Sequence, residues 1–289
     1  MQRMWSTDIR MTTQLSEITN ELRDRLAAMG VPLPMELKRR DPREPGRKQK
    51  EATELAIQAS FRRYFSRQKR KIRDKLKFIA PYRKAVDDLE YYMSEFGDEF
   101  WQDDEYVAEL GRILVGATAE GIDIFADLMP LEIDYTLANA EAAKWALEFA
   151  GTEVKFINDR TLSSLRMALS DFVTMPGMTI GDIVGSLPYK ESRSRLIAIS
   201  ETTDIFGNAE LIVGNQLQLE YPDIKVIKRW YTNQDSKVCE IICQPMDGQE
   251  VLVSDPFIDG QGNHVMCPKA HIGCMCWMST STRIGEEWD

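Results

Sequence analysis

Five cysteines and two histidines are all that this chain contains, and none of them occurs before residue 239. His264, Cys267, His271, Cys274 and Cys276 fall within thirteen residues, and Cys239 and Cys243 form a pair upstream. The spacing is C-x3-C, a gap of 23 residues, then C-x3-H-x2-C-x-C. Zinc takes four Cys or His ligands in a tetrahedron, commonly one pair from each of two turns. Soft ligands drawn from two separated clusters therefore predict a structural metal site. The candidate ion is Zn2+, and the candidate ligands are Cys239, Cys243, His271, Cys274 and Cys276. In the competing reading, Cys239 and Cys243 are small buried residues beside Ile241 and Ile242. The odd cysteine number argues against a fully paired disulfide framework, and close-set cysteines in a reducing compartment are more often ligands than bridges.

Catalytic metal chemistry fits less well. A zinc deaminase needs H-x-E ahead of P-C-x-x-C, but Val265 and Met266 follow His264. The H-E-x-x-H pair of a metalloprotease is absent. With one histidine committed to metal, little remains for nuclease or triad chemistry. The chain is expected not to be an enzyme, and no catalytic residue is assigned.

The elements that must position these ligands are of two kinds, which predicts an α+β protein: a mainly α-helical body with a small C-terminal β-rich module stapled by the metal. Up to about residue 221 the pattern is helical. Leu15, Ile18, Leu22 and Leu26 recur at helical spacing before Gly30 and Pro32. A proline-rich, charged stretch at about 31–50 reads as a linker. A long basic helix then spans about 50–78, its apolar stripe including Ile57, Phe61, Tyr64, Phe65, Ile72 and Leu76. Further helices are predicted around 104–128, from Ala138 through Phe172, over TIGDIVGS with Thr179 as N-cap, and over 190–219, closed by Pro222. Beyond it, IKVIKRWY, QEVLVSD and CMCWMSTST read as strands, and in the last of these Cys274 and Cys276 are expected on one face. The expected divisions are 1–135, 136–221 and 222–289.

Charge is unevenly distributed. The net charge is −10, yet Lys38 to Lys77 holds sixteen Lys/Arg against five Asp/Glu, a balance of +11 that leaves −21 for the rest (−10 minus 11). Asp87 to Glu109 carries ten acids and no base. Such runs are usually solvated helix faces; alternatively the basic one docks on an acidic partner or on DNA, with Arg62, Arg63, Arg67, Lys69, Arg70 and Lys71 as the contacts. The N-terminus lacks an apolar signal-peptide run and no stretch of about twenty residues is free of charge, so a soluble protein with no membrane partner is expected.

RWYTNQDSKVCEIICQPMDGQE, a Gly/Asn-rich loop and PKAHIGCMCW together resemble the C-terminal signature of the Mu F-like phage minor head proteins, the head morphogenesis family. Upstream, WALEFAGTEVKFINDRTLSSLRMAL, GMTIGDIVGSL and an I-A-x-S-E element ending at Glu201 resemble the helices that precede that signature. The resemblance runs from about Asn139 to Trp277 and places Trp230, Asp235, Cys239, Cys243, Gly248, His271, Cys274 and Cys276 at signature positions. Three features depart from the pattern: a cysteine pair one residue wider, Ile272 for the proline after His, and Met275 for the arginine between the last cysteines. The resemblance implies a virion component inside the capsid, bound to the portal protein and in contact with the capsid interior or a scaffold. Such a protein assists head assembly and DNA packaging or ejection, and is assembled in the bacterial cytoplasm. The alternative is a zinc-stabilised nucleic-acid-binding protein that uses 38–77. Glu201 is expected to pair structurally with a neighbouring segment, through an arginine such as Arg166 or Arg195, rather than to catalyse.

Overall fold

A computed structural model describes residues 40–79, 88–233 and 238–283. The chain divides into two compact units, Met1–Arg39 and Arg40–Asp289. The first, with the helix expected over Leu15 to Leu26, lies outside the described residues, as does Asp235.

The second unit is mainly helical, with a small C-terminal sheet region. Its helices are α1 (Arg47–Ile79), α2 (Asp88–Ser94), α3 (Asp98–Trp101), α4 (Asp104–Asp127), α5 (Tyr135–Thr174), α6 (Ile180–Ser186) and α7 (Glu191–Glu220). The boundaries have local causes. Asp103 caps α4 by accepting from Tyr106 N–H, and Asp134 caps α5 through Thr136 and Leu137. Thr179 and Asp182 form a reciprocal capping box on α6. Pro222 cannot continue α7.

The stripe predicted for the basic helix is buried, with Ile57, Phe61, Tyr64, Ile72 and Leu76 fully enclosed. On α5 the buried stripe is alanine at every fourth position, Ala138, Ala142, Ala146 and Ala150. These small side chains let α4 and α5 approach closely, so that a Cβ on Gly111 would lie 3.1 Å from Leu147. At the centre, α7 packs against α1, α4, α5 and the sheet. A helix covered on most sides should read as apolar all round, but α7 buries Ser194, Ser200, Glu201, Thr202, Thr203, Glu210 and Gln216 along with its apolar residues. Each of these polar groups needs a partner in the interior.

The sequence expectation of a linker over 31–50 is corrected at its C-terminal end. Arg40, Glu44 and Lys50 are 2%, 4% and 3% exposed. Arg40 donates to Glu44 at 2.9 Å, to Glu54 at 2.8 Å and to Thr203 of α7 at 3.2 Å. Lys50 Nζ donates to the same Glu44 oxygen at 2.8 Å. Two cations and two carboxylates thus pin the start of α1 onto α7, because a charge can be buried only when it is paired and hydrogen-bonded.

The module contains β1 (Lys225–Tyr231), β2 (Glu250–Leu252), β3 (Phe257–Ile258), β4 (His264–Val265) and β5 (Trp277–Arg283). An antiparallel sheet runs β2-β1-β5, with Lys228 opposite both Val251 and Thr280, and β3 and β4 form a separate hairpin. That hairpin, two residues a side, is too short to register as alternation on either side of the Gly/Asn-rich loop. A further correction concerns Cys274 and Cys276. They precede β5 rather than lying on it, since the strand begins at Trp277. The module has a core of its own, in which Trp230, Met246, Phe257 and Met278 pack with Cys243, Cys274 and Cys276. It sits directly on α7: a Cβ on Gly207 would come 2.2 Å from the Pro268 carbonyl oxygen, so this contact admits only glycine. Among the described residues, no helix is long and apolar enough to cross a membrane.

Candidate metal centre

Two chain segments build the site. In the first, the backbone curls between the paired cysteines: Cys243 N–H donates to Cys239 O at 3.0 Å and Gln244 N–H to the same oxygen at 2.9 Å. The turn leaves Cys239 half-buried and Cys243 buried. A 3-10 turn over Gln244–Met246 leads to Gly248, whose φ of +80° suits a residue without Cβ. Gly248 N–H donates to Trp230 O at 2.9 Å, and Trp230 N–H to Gln249 O at 3.0 Å, which starts β2 in register with β1.

The second segment is the His271–Cys276 loop, which is held down by α7. Gly273 N–H donates to Ser200 Oγ at 2.7 Å, and the Thr203 hydroxyl donates to Cys274 O at 2.8 Å. The polar residues that made α7 look poorly suited to a core are therefore the ones that place this loop.

Together the segments bring Cys243, His271 and Cys274 within 4.8 Å of one another, ligand atom to ligand atom. Cys243 Sγ lies 3.9 Å from Cys274 Sγ, and His271 Nε2 lies 3.1 Å from Cys243 Sγ. With metal–sulfur and metal–nitrogen bonds of about 2.3 and 2.05 Å, a tetrahedral ion requires edges of about 3.8 Å (S–S) and about 3.6 Å (S–N). The sulfur edge already has this length, and a small rotation of the imidazole meets the other. His271 Nδ1 is 2.9 Å from Ile272 O. A proton on Nδ1, shared with that carbonyl, turns the Nε2 lone pair toward the sulfurs, as in metal-binding histidines. Cys276 is buried close by, near enough for its thiol to influence those of Cys243 and Cys274.

The electrostatics suit a cation. Cys274 is held well below the usual thiol range because Cys243 and Cys276 hydrogen-bond to its sulfur, with backbone groups of Ala270 and Cys276 adding to the effect. Cys243 and Cys276 are pushed up, chiefly by their bonds with neighbouring thiols. A metal ion bound at these sulfurs would displace the thiol protons that remain. Cys243, His271 and Cys274, with Cys276 nearby, could hold a metal ion. Of the sequence candidates Cys239 lies outside this group, on the far side of its own turn. Cys267 is also outside, and burial pushes its thiol up to about 12.

The remaining sequence candidates are distributed as follows. Trp230 is fully buried and meets Phe257 edge-on at 5.2 Å. Glu201 is buried and its partner is neither Arg166 nor Arg195: Lys269, two residues before His271, reaches it at 3.2 Å and Asp204 at 3.1 Å. The partner is thus a lysine on the ligand loop rather than an arginine of a helix. Desolvation pushes the Glu201 carboxyl up to about 8, with Lys269 opposing and Glu153 reinforcing. Of the basic residues, Arg62 pairs with Glu191 at 3.3 Å, Arg63 with Glu109 at 2.6 Å and Arg67 loosely with Asp103 at 3.8 Å. Lys71 donates to Phe100 O. Lys69 and Arg70 are exposed and form no ion pair among the described residues. Part of the acidic run is thus the internal partner of the basic one. Sequence reasoning missed Ser200, Thr203 and Lys269, because their roles depend on which loop lands on α7. Comparison with protein-family models, with curated proteins and with solved structures finds no match to this chain.

Proposed function

We propose that this chain is a structural phage minor head protein of the Mu F-like, head morphogenesis kind, associated with the portal inside the capsid. Its C-terminal module is stapled by one zinc ion held by Cys243, His271, Cys274 and Cys276. The observation that supports this reading is a convergence of residues that lie far apart in sequence. Trp230, Cys243, Cys274 and Cys276 share one buried cluster. Gly248 bonds back to Trp230, and Glu201 is tied through Lys269 to the loop that carries His271. A set of positions chosen by family resemblance has no general reason to meet in space, and here it does.

In this reading the site is structural. Three sulfurs and an imidazole fill a tetrahedron and leave no open position for a substrate, unlike catalytic zinc. Glu201 is engaged by Lys269 and takes no part in turnover. A second reading, direct contact with DNA through 38–77, is favoured by Lys69 and Arg70, which are exposed and form no ion pair among the described residues. Co-expression with the portal protein encoded beside its gene, followed by light scattering at two salt concentrations, tests the assignment. A stable complex on a portal ring is expected. Absence of any complex, with DNA retained in its place, overturns the portal reading in favour of the second.

A further inference from the structure

Away from the metal centre, a cleft of about 370 Å³ opens between α1 and the α3–α4 junction. This is at the small end of ligand sites, which span about 300–1,000 Å³, and it is too small for a duplex. One wall carries Arg67, Arg70 and Lys71, which α1 places on one face by their spacing of three and four residues. The opposite wall is Phe100 and Trp101.

The charges of this wall differ from those around it. Arg63 and Lys75, on either side along α1, are neutralised by Glu109 and Glu95. Within the cleft Lys71 has only a carbonyl partner and lies over the Phe100 ring, 4.4 Å from its centroid. Arg67 Nε and Nη2 are buried with no hydrogen-bond partner among the described residues. The guanidinium is held only by the Tyr106 ring at 5.6 Å and by Asp103 at 3.8 Å. The side chain is 35% exposed, but two buried guanidinium nitrogens with unmade bonds cost free energy until an acceptor arrives, and the guanidinium fork matches two oxygens of a phosphate. An anion would break no existing Arg67 hydrogen bond.

The cleft is not purely basic. Asp74, Gln102, Asp103 and Glu105 also line it, and Asp74 is paired with Arg73 at 3.6 Å. Asp103 is already used as the cap of α4, which leaves Glu105 and Gln102 to accept from a ligand. A bare anion would use only half of this lining.

We infer that the cleft binds one nucleotide unit, with its phosphate on Arg67, Arg70 and Lys71 and its base against Phe100, the amino edge of the base turned toward Gln102 and Glu105. Free nucleotide and a unit of single-stranded DNA share this chemistry. The inference does not depend on the metal centre or on the portal assignment. It differs from general DNA contact along 38–77 in requiring the cleft rather than charge alone.

Titration calorimetry of the full chain against inorganic phosphate, dAMP and a short oligodeoxyadenylate tests it. The expected order has dAMP at least about tenfold tighter than phosphate, since stacking on an aromatic side chain contributes about 1–3 kcal/mol per base. Arg70→Gln and Lys71→Gln are surface changes that should each weaken dAMP about tenfold or more, while Arg62→Gln, outside the cleft, leaves it unchanged. If the oligomer binds tighter than dAMP with the same dependence, the natural source is single-stranded DNA; equal affinity assigns the free nucleotide. The inference is overturned if dAMP does not bind, if phosphate binds equally well, or if Arg62→Gln weakens binding as much as Arg70→Gln.

Discussion

Two buried polar clusters flank α7 and solve the same problem differently. At the start of α1, Arg40, Glu44, Lys50 and Glu54 bury both signs of charge and pair with one another. At the module, Cys243, His271 and Cys274, with Cys276 nearby, gather ligands of one kind, all electron-pair donors. The first cluster carries its own counter-charges, with only Glu44 Oε2 left without a hydrogen bond among the described residues, whereas the second, in the proposed reading, is completed by a cation. Thr203 joins them, accepting from Arg40 and donating to the carbonyl of Cys274. A helical body can be pinned by its own ion pairs, whereas a module with a small apolar core is the kind that an added ion would stabilise, as proposed here.

The largest effect expected from this contrast lies in the thiols. Structural zinc supplies about 10–16 kcal/mol of apparent binding free energy to small folded modules. Cys274→Ser should therefore abolish metal binding and destabilise the module by more than about 4 kcal/mol. Native mass spectrometry should show one zinc per wild-type chain, and limited proteolysis should cut within 222–283 once the ion is removed. Cys239→Ser should keep the ion, because Cys239 stands outside the group of four. If Cys239→Ser loses the ion while Cys276→Ser retains it, the ligand set is wrong.

The self-neutralised cluster should respond next. Arg40→Met leaves Glu44 and Glu54 facing each other without their shared cation, and breaking a buried pair in this way costs about 3–5 kcal/mol. Urea unfolding of the zinc-loaded protein measures this directly, and zinc stoichiometry should stay at the wild-type value. A cost below about 1 kcal/mol would mean that the start of α1 is only loosely attached and that the two clusters are not comparable.

These clusters were not equally legible in the sequence. The thiols were visible because cysteine and histidine are rare here and crowd together, so residue type alone marks them. The final set of four was less so: whether Cys239 or Cys276 joins depends on a turn that tucks Cys243 inward, and on a loop that Ser200 and Thr203 fix from α7. Helices and main strands were read from periodicity and prolines, and α6 even from its cap. The ionic cluster was hidden. Arg40, Glu44 and Lys50 lie in a stretch of prolines and charges, which looks like solvated chain unless the buried partner 163 residues away, Thr203, is known. The same limit applied to the basic and acidic runs, whose mutual pairing through Arg63 and Glu109 emerges only when α1 and α4 pack.

The smallest effect expected tests whether burial on the ionic side of α7 carries a pH signature. Glu210 is 3% exposed, accepts the backbone N–H of Thr280 at 2.7 Å, and is pushed up to about 8 by desolvation, with Lys50 opposing. A carboxyl raised above its unfolded value binds its proton more tightly when folded. The folded state then holds more protons than the unfolded state between the two values, so stability falls as pH rises through that window. The contribution of Glu210 should drop by about 2 kcal/mol between about pH 5 and pH 7. Lys50 is shifted in the opposite sense, downward by burial, and so changes stability in a window below the usual lysine value. Glu201 and Asp204 are raised like Glu210 and add to the slope of the wild type. The informative quantity is therefore the difference between wild type and Glu210→Gln, which keeps an acceptor for Thr280 but cannot ionise. The variant should be the more stable of the two at about pH 8 and lose that advantage toward about pH 5. Parallel stability curves across this range would show that Glu210 is ionised and well compensated when folded, which would make this side of α7 as self-neutralised as the Arg40 cluster.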